Sequence, residues 1–258
     1  MEYPQLVPGT LLRRYKRFLA DVRLVDGREV VAHCPNTGSM RTVNVPGCRV
    51  WLAPSDNPVR KLAWTWELIE LPQADGSLAL ASVHTGRANR IVEEALRGGQ
   101  VAALAGYASL KREAKVMAEP GQSASRLDFR LDDPLRGTVF IEVKQVTLKE
   151  SDGHGYFPDA VSERGRRHLG VLGDLAAQGH RAVLLFCVAH TGIGDVAAAA
   201  HLDPAYALAL GEAAQRGVEI LAYGCRVDSL DGVPRVIRLA EVLPVSLTRQ
   251  LDVAFGVD

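Results

Sequence analysis

The sequence of 258 residues carries no net charge: Lys plus Arg number 30, and Asp plus Glu number 30. Neutrality of this kind excludes a polybasic protein that coats nucleic acid by bulk charge. It does not exclude a localised basic face. Cysteine is sparse. The four residues at 34, 48, 187 and 225 include no CxxC pair, which rules out a disulfide scaffold. No long apolar run is present. The most apolar stretch, Ala182 to Ala189, is far shorter than the roughly 20 residues a membrane helix needs. The opening residues lack the apolar segment of a secretory signal, so the expectation is a cytoplasmic protein with reduced thiols. What is present is ordinary for a folded protein: 47% hydrophobic residues, enough for one large domain or two modest ones.

The first 80 residues read as short strands divided by turn residues. Phe18–Leu24 meets a turn at Asp26-Gly27, and Val30–Cys34, Arg49–Ala53 and Ala63–Ile69 follow. This spacing predicts a small barrel of the oligonucleotide-binding (OB) kind. Residues 72–77 (PQADGS) predict a boundary loop. Beyond Val83 the pattern becomes mixed. Asn89–Arg97 predicts a helix capped by Asn89 and stopped by Gly98-Gly99. Strands are expected near 107–117, 127–131, 138–148, 182–189 and 218–223, with helices over 162–178 and 204–215. The predicted fold class is α+β or α/β in two domains: an OB-fold-like β-barrel over 1–80, then an α/β domain over 81–258 in which Asp128 followed by Glu142-Val143-Lys144 (D…ExK) matches the metal-site pattern of PD-(D/E)xK, restriction-endonuclease-like domains.

The second domain is assigned from two segments. SRLDFRL (125–131) alternates, with Leu127, Phe129 and Leu131 on one face and Asp128 and Arg130 on the other. In TVFIEVKQV (138–146), Glu142 and Lys144 share a face with the apolar Phe140 and Val146, which implies partial cover. If the hairpin is symmetric about Leu135, Asp128 falls opposite Glu142. The plainer reading is an exposed charged face. The chemical reading is a metal site: two carboxylates suit a hard cation, Mg²⁺ or Mn²⁺, and Lys144 would orient a water or contact the transition state. Glu113 and Glu93 are further candidate ligands. The pair Pro158-Asp159 follows ExK in the wrong order and reads as a decoy for this motif. His33 beside Cys34 has no spaced partners for zinc. His84, His154 and His180 read as loop or surface residues.

Eight blocks in order resemble the sugar fermentation stimulation protein family: HCPNTGSM (33–40), NP with RKL (57–62), ANRIVEEAL (88–96), GYASLKREAKV (106–116), SRLDFRL, IEVKQVTL (141–148), FPDAVSERGRRHL (157–169) and GHRAVLLF (179–186). The resemblance spans residues 10–245 and implies DNA binding, a link to regulation of sugar metabolism, and an OB-fold before a nuclease-like domain. Gln145 and Trp64 stand where Asn and Tyr are commoner.

Charge divides unevenly. Residues 1–65 hold ten Lys/Arg and five acids, and residues 66–258 hold 20 and 25. Arg13, Arg14, Lys16 and Arg17 form a basic cluster suited to a phosphate backbone. Asn36, Thr37 and Ser39 lie on a polar turn whose amides could form an anion nest, or be a plain turn. Trp64 and Trp66 could stack bases, but at i, i+2 they read more simply as barrel core. Arg164, Arg166 and Arg167 open a helix, where the dipole gives cations no benefit, which points to an anionic partner. These charges point to nucleic acid as the expected partner, and the family resemblance implies DNA. Three functions remain open: a metal-dependent nuclease, a non-catalytic DNA-binding regulator, and a phosphodiesterase of small nucleotides.

Overall fold

The computed structural model describes residues 1–55, 57, 59–116 and 125–251. Pro58, residue 117 of the strand expected near 107–117, and positions 252–258 of the expected second domain lie outside them.

The chain opens with β1 (Val7–Tyr15), β2 (Leu19–Leu24), β3 (Glu29–His33), β4 (Arg49–Pro54), β5 (Trp64–Pro72) and β6 (Leu78–Ser82). The sheet order is β3-β2-β1-β4-β5-β6, and a short parallel β3–β5 pairing closes five strands into a barrel. Alternation supplies the interior: Leu11, Val22, Ala32, Leu52, Trp66 and Ile69 are buried together. Trp66 is fully buried, its indole N–H donating to the Leu68 carbonyl at 2.9 Å, while half-buried Trp64 packs on the same core. The tryptophans thus serve packing. Gly27 adopts φ +86° at the β2–β3 turn, a conformation that residues with a Cβ rarely adopt.

The expected boundary loop at 72–77 is instead the β5–β6 turn, with Pro72 opposite Leu78. Position 80 therefore falls inside β6. A turn inside a hairpin and a linker between domains share the same residues, so composition alone does not separate them.

The second half continues with α1 (Arg87–Arg97), β7 (Ser109–Val116), β8 (Ser125–Asp133), β9 (Gly137–Val146), β10 (Leu148–Lys149), β11 (Gly155–Phe157), α2 (Glu163–Ala177), β12 (Arg181–Val188), β13 (Val196–Ala198), α3 (Pro204–Gln215), β14 (Glu219–Leu230), β15 (Val233–Leu243) and β16 (Val245–Ser246). The large sheet runs β15-β14-β12-β9-β8-β7, with β12 parallel to both β9 and β14. Short strands form a second sheet, β10-β11-β13-β16.

Capping fixes the helix starts. Ser162 Oγ accepts from the Gly165 amide at 3.1 Å to begin α2. Asp203 caps α3 through the Tyr206 amide at 2.9 Å, ahead of Pro204. Asn89 is not the expected cap of α1. That helix begins at Arg87 behind Gly86, and Asn89 lies within its first turn.

Helices α2 and α3 bury Leu169, Leu172, Tyr206 and Leu210 on one side of the large sheet. On the other side, Ile91 and Val92 of α1 join Phe129, Ile141 and Val183. Trp51, Ala53 and Leu68 of the barrel belong to that same cluster. An ion pair across the boundary, from the partly buried Arg87 to the buried Glu67 at 2.5 Å, adds to this shared apolar core.

Candidate functional site

The β8–β9 ladder has the register of a hairpin symmetric about Leu135, running from Asp133↔Gly137 to Phe129↔Ile141. There it stops, one pair short of Asp128 and Glu142. Strand β9 continues along β12 as far as Val146, so its other edge is left without a strand partner beyond Ile141. An unpaired backbone amide is costly, and a side chain fills the gap. The Val143 N–H donates to Asp128 Oδ2 at 2.8 Å, and Asn89 Nδ2 of α1 donates to Asp128 Oδ1 at 2.7 Å. The fork also divides the expected apolar face of β8. Leu127 packs in the α2-side core, whereas Phe129 and Leu131 pack on the α1 side.

Glu142 is 3% exposed. Its Oε1 accepts from Lys144 Nζ at 2.5 Å and from Nδ1 of the buried His168 on α2. Its Oε2 is buried with no hydrogen-bond partner. The two carboxyls titrate in opposite directions. Burial pushes the Asp128 carboxyl up, the nearby Glu142 charge pushes it further, and the bonds from Val143 and Asn89 do not cancel the rise. Burial also acts upward on Glu142, but contacts to His168 and Lys144 outweigh it and hold that carboxyl below its ordinary value.

Asp128, Glu142, Lys144, Asn89 and Gln145 line a cleft of about 420 Å³, together with Arg164 and Asp159. These residues fit a hard divalent cation. The orphaned Glu142 Oε2 is a buried anionic oxygen that lacks a positive partner, and each Asp128 oxygen carries one bond with a lone pair to spare. Among the described residues no set of three His, Cys, Asp or Glu side chains is arranged to hold a metal ion by itself. A cation here would complete its shell with water, as Mg²⁺ commonly does. Glu113 is not placed with this pair: its carboxylate contacts Arg126 at 3.4 Å on the exposed outside of β7 and does not line the cleft. Glu93 likewise faces Arg97 and Arg112.

In the basic cluster of the barrel Arg14 is committed to the fold, while Arg13, Lys16 and Arg17 stay exposed. Arg13 pairs with Asp21 at 2.7 Å. Arg14 donates to the carbonyls of Arg17 and Asn36, both at 2.9 Å, and of Gly38 at 3.1 Å, so it braces the 36–39 turn. Lys16 and Arg17 sit exposed at the β1–β2 turn with φ of +48° and +63°. The expected anion nest is partly filled from within the molecule. Asn36 Oδ1 takes the Gly38 amide at 2.8 Å. Asp159 Oδ2 takes the Met40 amide at 3.0 Å and lies 3.1 Å from Ser39 Oγ, which donates to the Asp159 carbonyl at 2.7 Å. Thr37 stays exposed at the cleft. Asp159 is therefore more than a decoy: an internal carboxylate sits where an anion nest is one of two readings of the turn, and it ties the barrel to the second domain. Arg164 reaches the cleft, Arg167 is exposed outside its lining, and Arg166 is bound to Asp203 at 3.0 Å.

Asn89, His168 and Asp159 are the functional candidates that sequence reasoning missed. Only His168 had a local signal, as the one titratable aromatic among the Arg residues opening α2.

A five-stranded OB barrel followed by an α/β domain with a forked hairpin defines a two-domain OB–α/β protein. Two family models match it in that order: the SfsA N-terminal OB domain over residues 12–80 and the sugar fermentation stimulation protein RE domain over 86–231. The chain belongs to the sugar fermentation stimulation protein family. It is 64% identical over 252 residues to a sugar fermentation stimulation protein homolog of Chromohalobacter salexigens, covering 97% of both chains. A homolog of the same description from Shewanella sp. MR-4 is 52% identical over 242 residues, covering 94% of this chain and 97% of that one. The solved structure of Pyrococcus furiosus SfsA in complex with Ca²⁺ superposes with a TM-score of 0.80 at 29% identity, over 95% of this chain and 98% of that one. Among the described residues no helix is long and apolar enough to cross a membrane.

Proposed function

We propose that this chain binds nucleic acid, most directly DNA, and hydrolyses its phosphodiester bonds with the aid of Mg²⁺ or Mn²⁺ held by Asp128 and Glu142. The observation that carries this reading is the buried, partnerless Glu142 Oε2 beside a second carboxylate in an open cleft. A relative solved with Ca²⁺ supports a cation in this fold. When bound, such a cation supplies charge neutralisation and a more acidic water.

The protein's own groups do the positioning. His168 and Lys144 engage Glu142 Oε1, which leaves Oε2 for the cleft. Asn89 and the Val143 amide hold Asp128 through one bond to each oxygen. The Lys144 ammonium, a donor already aimed into the cleft, stabilises negative charge that develops on the phosphoryl oxygens. Arg164 at the cleft edge holds the backbone of the bound strand. We place the protein in the cytoplasm, where its four free cysteines stay reduced; the Sγ atoms of Cys187 and Cys225 lie 3.6 Å apart and unbonded.

The deciding experiment incubates purified protein with plasmid, linear and single-stranded DNA in Mg²⁺ or Mn²⁺, beside Lys144→Ala. Cleavage should fall ~100-fold or more in the variant, the usual cost of one transition-state donor. Cleavage that persists in Lys144→Ala belongs to a contaminant and sinks the assignment. Salt-sensitive binding without any cleavage supports instead a DNA-binding regulator of sugar metabolism that keeps the fold.

A further inference from the structure

The cleft at Asp128 does not end at its own rim. Thr37, Gly38, Phe157 and Asp159 line it, and they also line a second hollow of about 550 Å³ between the barrel and the second domain. The two hollows form one groove with unlike walls. Arg14 and Arg17 stand on the barrel side, and Phe157, Pro158, Ala160 and Val161 on the other. Val161 is 67% exposed, an apolar side chain left in water beside the Ser162 cap of α2. Phe157 is half-buried, and its ring is held against the buried Tyr206 with centroids 5.2 Å apart.

The cationic wall is presented at a cost to the backbone. Tyr15 pairs with Leu19, and Lys16 and Arg17 in the turn between them adopt φ of +48° and +63°. Hairpin turns with consecutive left-handed residues favour Asn and Gly, which reach that conformation cheaply. A lysine and an arginine there break the local rule, and such breaks collect at functional sites. Arg14 holds the turn to the groove floor: its Nη2 donates to the Arg17 carbonyl at 2.9 Å and to the Gly38 carbonyl at 3.1 Å. Arg17 itself is exposed. Among the described residues it has no ion-pair partner, whereas its neighbour Arg13 pairs with Asp21.

One cationic wall and one apolar wall suit a strand whose bases are free. A duplex keeps its bases stacked inside and gains nothing from Phe157 and Val161. An unpaired strand can lay its phosphates along Arg17 and its bases on the apolar wall, the combination by which single strands are generally held. Asp159 reinforces that orientation, because its carboxylate belongs to the apolar wall and repels phosphate from it.

We infer that the groove from the cleft past Gly38 to Arg17 holds an unpaired strand continuous with the scissile one, so that the substrate is nucleic acid with a single-stranded extension beside the cut rather than blunt duplex. The inference rests on the nucleic-acid reading above and names the class of substrate that the site takes.

The test titrates three fluorescent probes against the full chain in Ca²⁺, from about 50 to 200 mM salt. One is a blunt duplex; the others are that duplex with about six unpaired nucleotides at the 5′ or the 3′ end. One extension or the other should tighten wild-type binding about tenfold or more, the usual worth of one or two stacked bases. Arg17→Gly removes the cation and relaxes the turn. It should lose several-fold of that advantage, and its salt slope for the extended probe should become shallower by ~0.7. It should melt no lower than wild type, since glycine takes the left-handed position without strain. Val161→Glu puts a carboxylate on the apolar wall and should lose most of the advantage. Neither residue belongs to the cleavage machinery, and blunt-duplex affinity should hold in both variants. Arg226→Gln, a loss of the same charge on β14 outside the groove, should match wild type.

Wild type that binds blunt and extended probes equally overturns the inference while leaving the nucleic-acid reading standing. A preference for the extension that neither variant reduces, or that Arg226→Gln reduces as much, overturns it as well. A lower melting temperature in Arg17→Gly assigns the arginine to the fold and also overturns it. Wild-type protein that binds none of the probes at the lowest salt removes the nucleic-acid reading and the inference together.

Discussion

Replacing Asp128 by Asn should stabilise this protein in chelator and destabilise it relative to wild type in cation. The sign follows from the surroundings. Burial and the Glu142 charge raise the Asp128 carboxyl above 3.8, so the folded state holds that proton more tightly than the unfolded one. Stability from such a group is complete below the unfolded pKa and is lost as pH rises through the folded pKa. At pH 7.5 the ionised carboxylate is therefore a net penalty, about 1.4 kcal/mol for each unit of rise. The substituted amide would keep the shape and the bond from the Val143 N–H, and Asn89 can turn its own amide to offer oxygen. The rise stands after the bonds from Val143 and Asn89 are counted, so the net change is a stabilisation. For a chain of this size each kcal/mol of it appears as ~2–4 °C in melting temperature. Wild type in cation at a hundred times its dissociation constant should gain about 2.7 kcal/mol, and the variant should gain little. Melting curves in chelator and in Ca²⁺ should thus exchange order between the two proteins. A variant that melts below wild type in chelator refutes the ranking of burial over hydrogen bonding. A variant that keeps the full Ca²⁺ response places the cation elsewhere.

Three further outcomes are expected. His168→Ala strips a donor from a buried carboxylate and should cost about 2–3 kcal/mol in denaturant melts, with His168→Gln recovering part of both stability and cleavage; equal loss in the two variants would mean the ring matters only for packing. Asp159→Ala should free the 36–40 turn from the second domain, costing about 1–3 kcal/mol and exposing Arg41 to trypsin in limited proteolysis; an unchanged digestion pattern would contradict the tie. Burial pushes the His190 imidazole down to about 4, and its Nδ1 accepts from the Gly192 amide at 3.0 Å. The unfolded chain therefore binds the extra proton first, and stability should fall by about 1.4 kcal/mol per pH unit from His190 alone as pH drops from about 6.5 toward 4. His190→Asn, which can keep that acceptor, should flatten this slope, as read by denaturant melts across that range.

Much of the architecture was legible because it depends on local rules. The β8–β9 register follows from alternation on both strands and a Pro/Gly turn of fixed length, so Phe129 opposite Ile141 could be placed from sequence. Ser162 and Gly179 bracket α2 by ordinary start and stop chemistry. The parts that escaped depend on distant partners. Asn89 has the composition of a helix cap, but its amide is committed to Asp128, 39 residues away. Arg14 looks like a free cation and is consumed by carbonyls of the 36–39 turn. Asp159 looks misplaced until Met40 and Ser39 meet it across 119 and 120 residues. Strands β10, β11, β13 and β16 have only two or three residues each, too few for any period to show.

The early end of the β8–β9 ladder has one more consequence. The Val143 amide proton is the point at which backbone pairing hands over to side-chain chemistry, since its acceptor is Asp128 itself. That single proton is a gauge built into the sheet. Its chemical shift and exchange rate register how Asp128 is shared between the backbone and whatever else the carboxylate holds, so a spectroscopist can read the state of the cleft from one backbone resonance without any substrate.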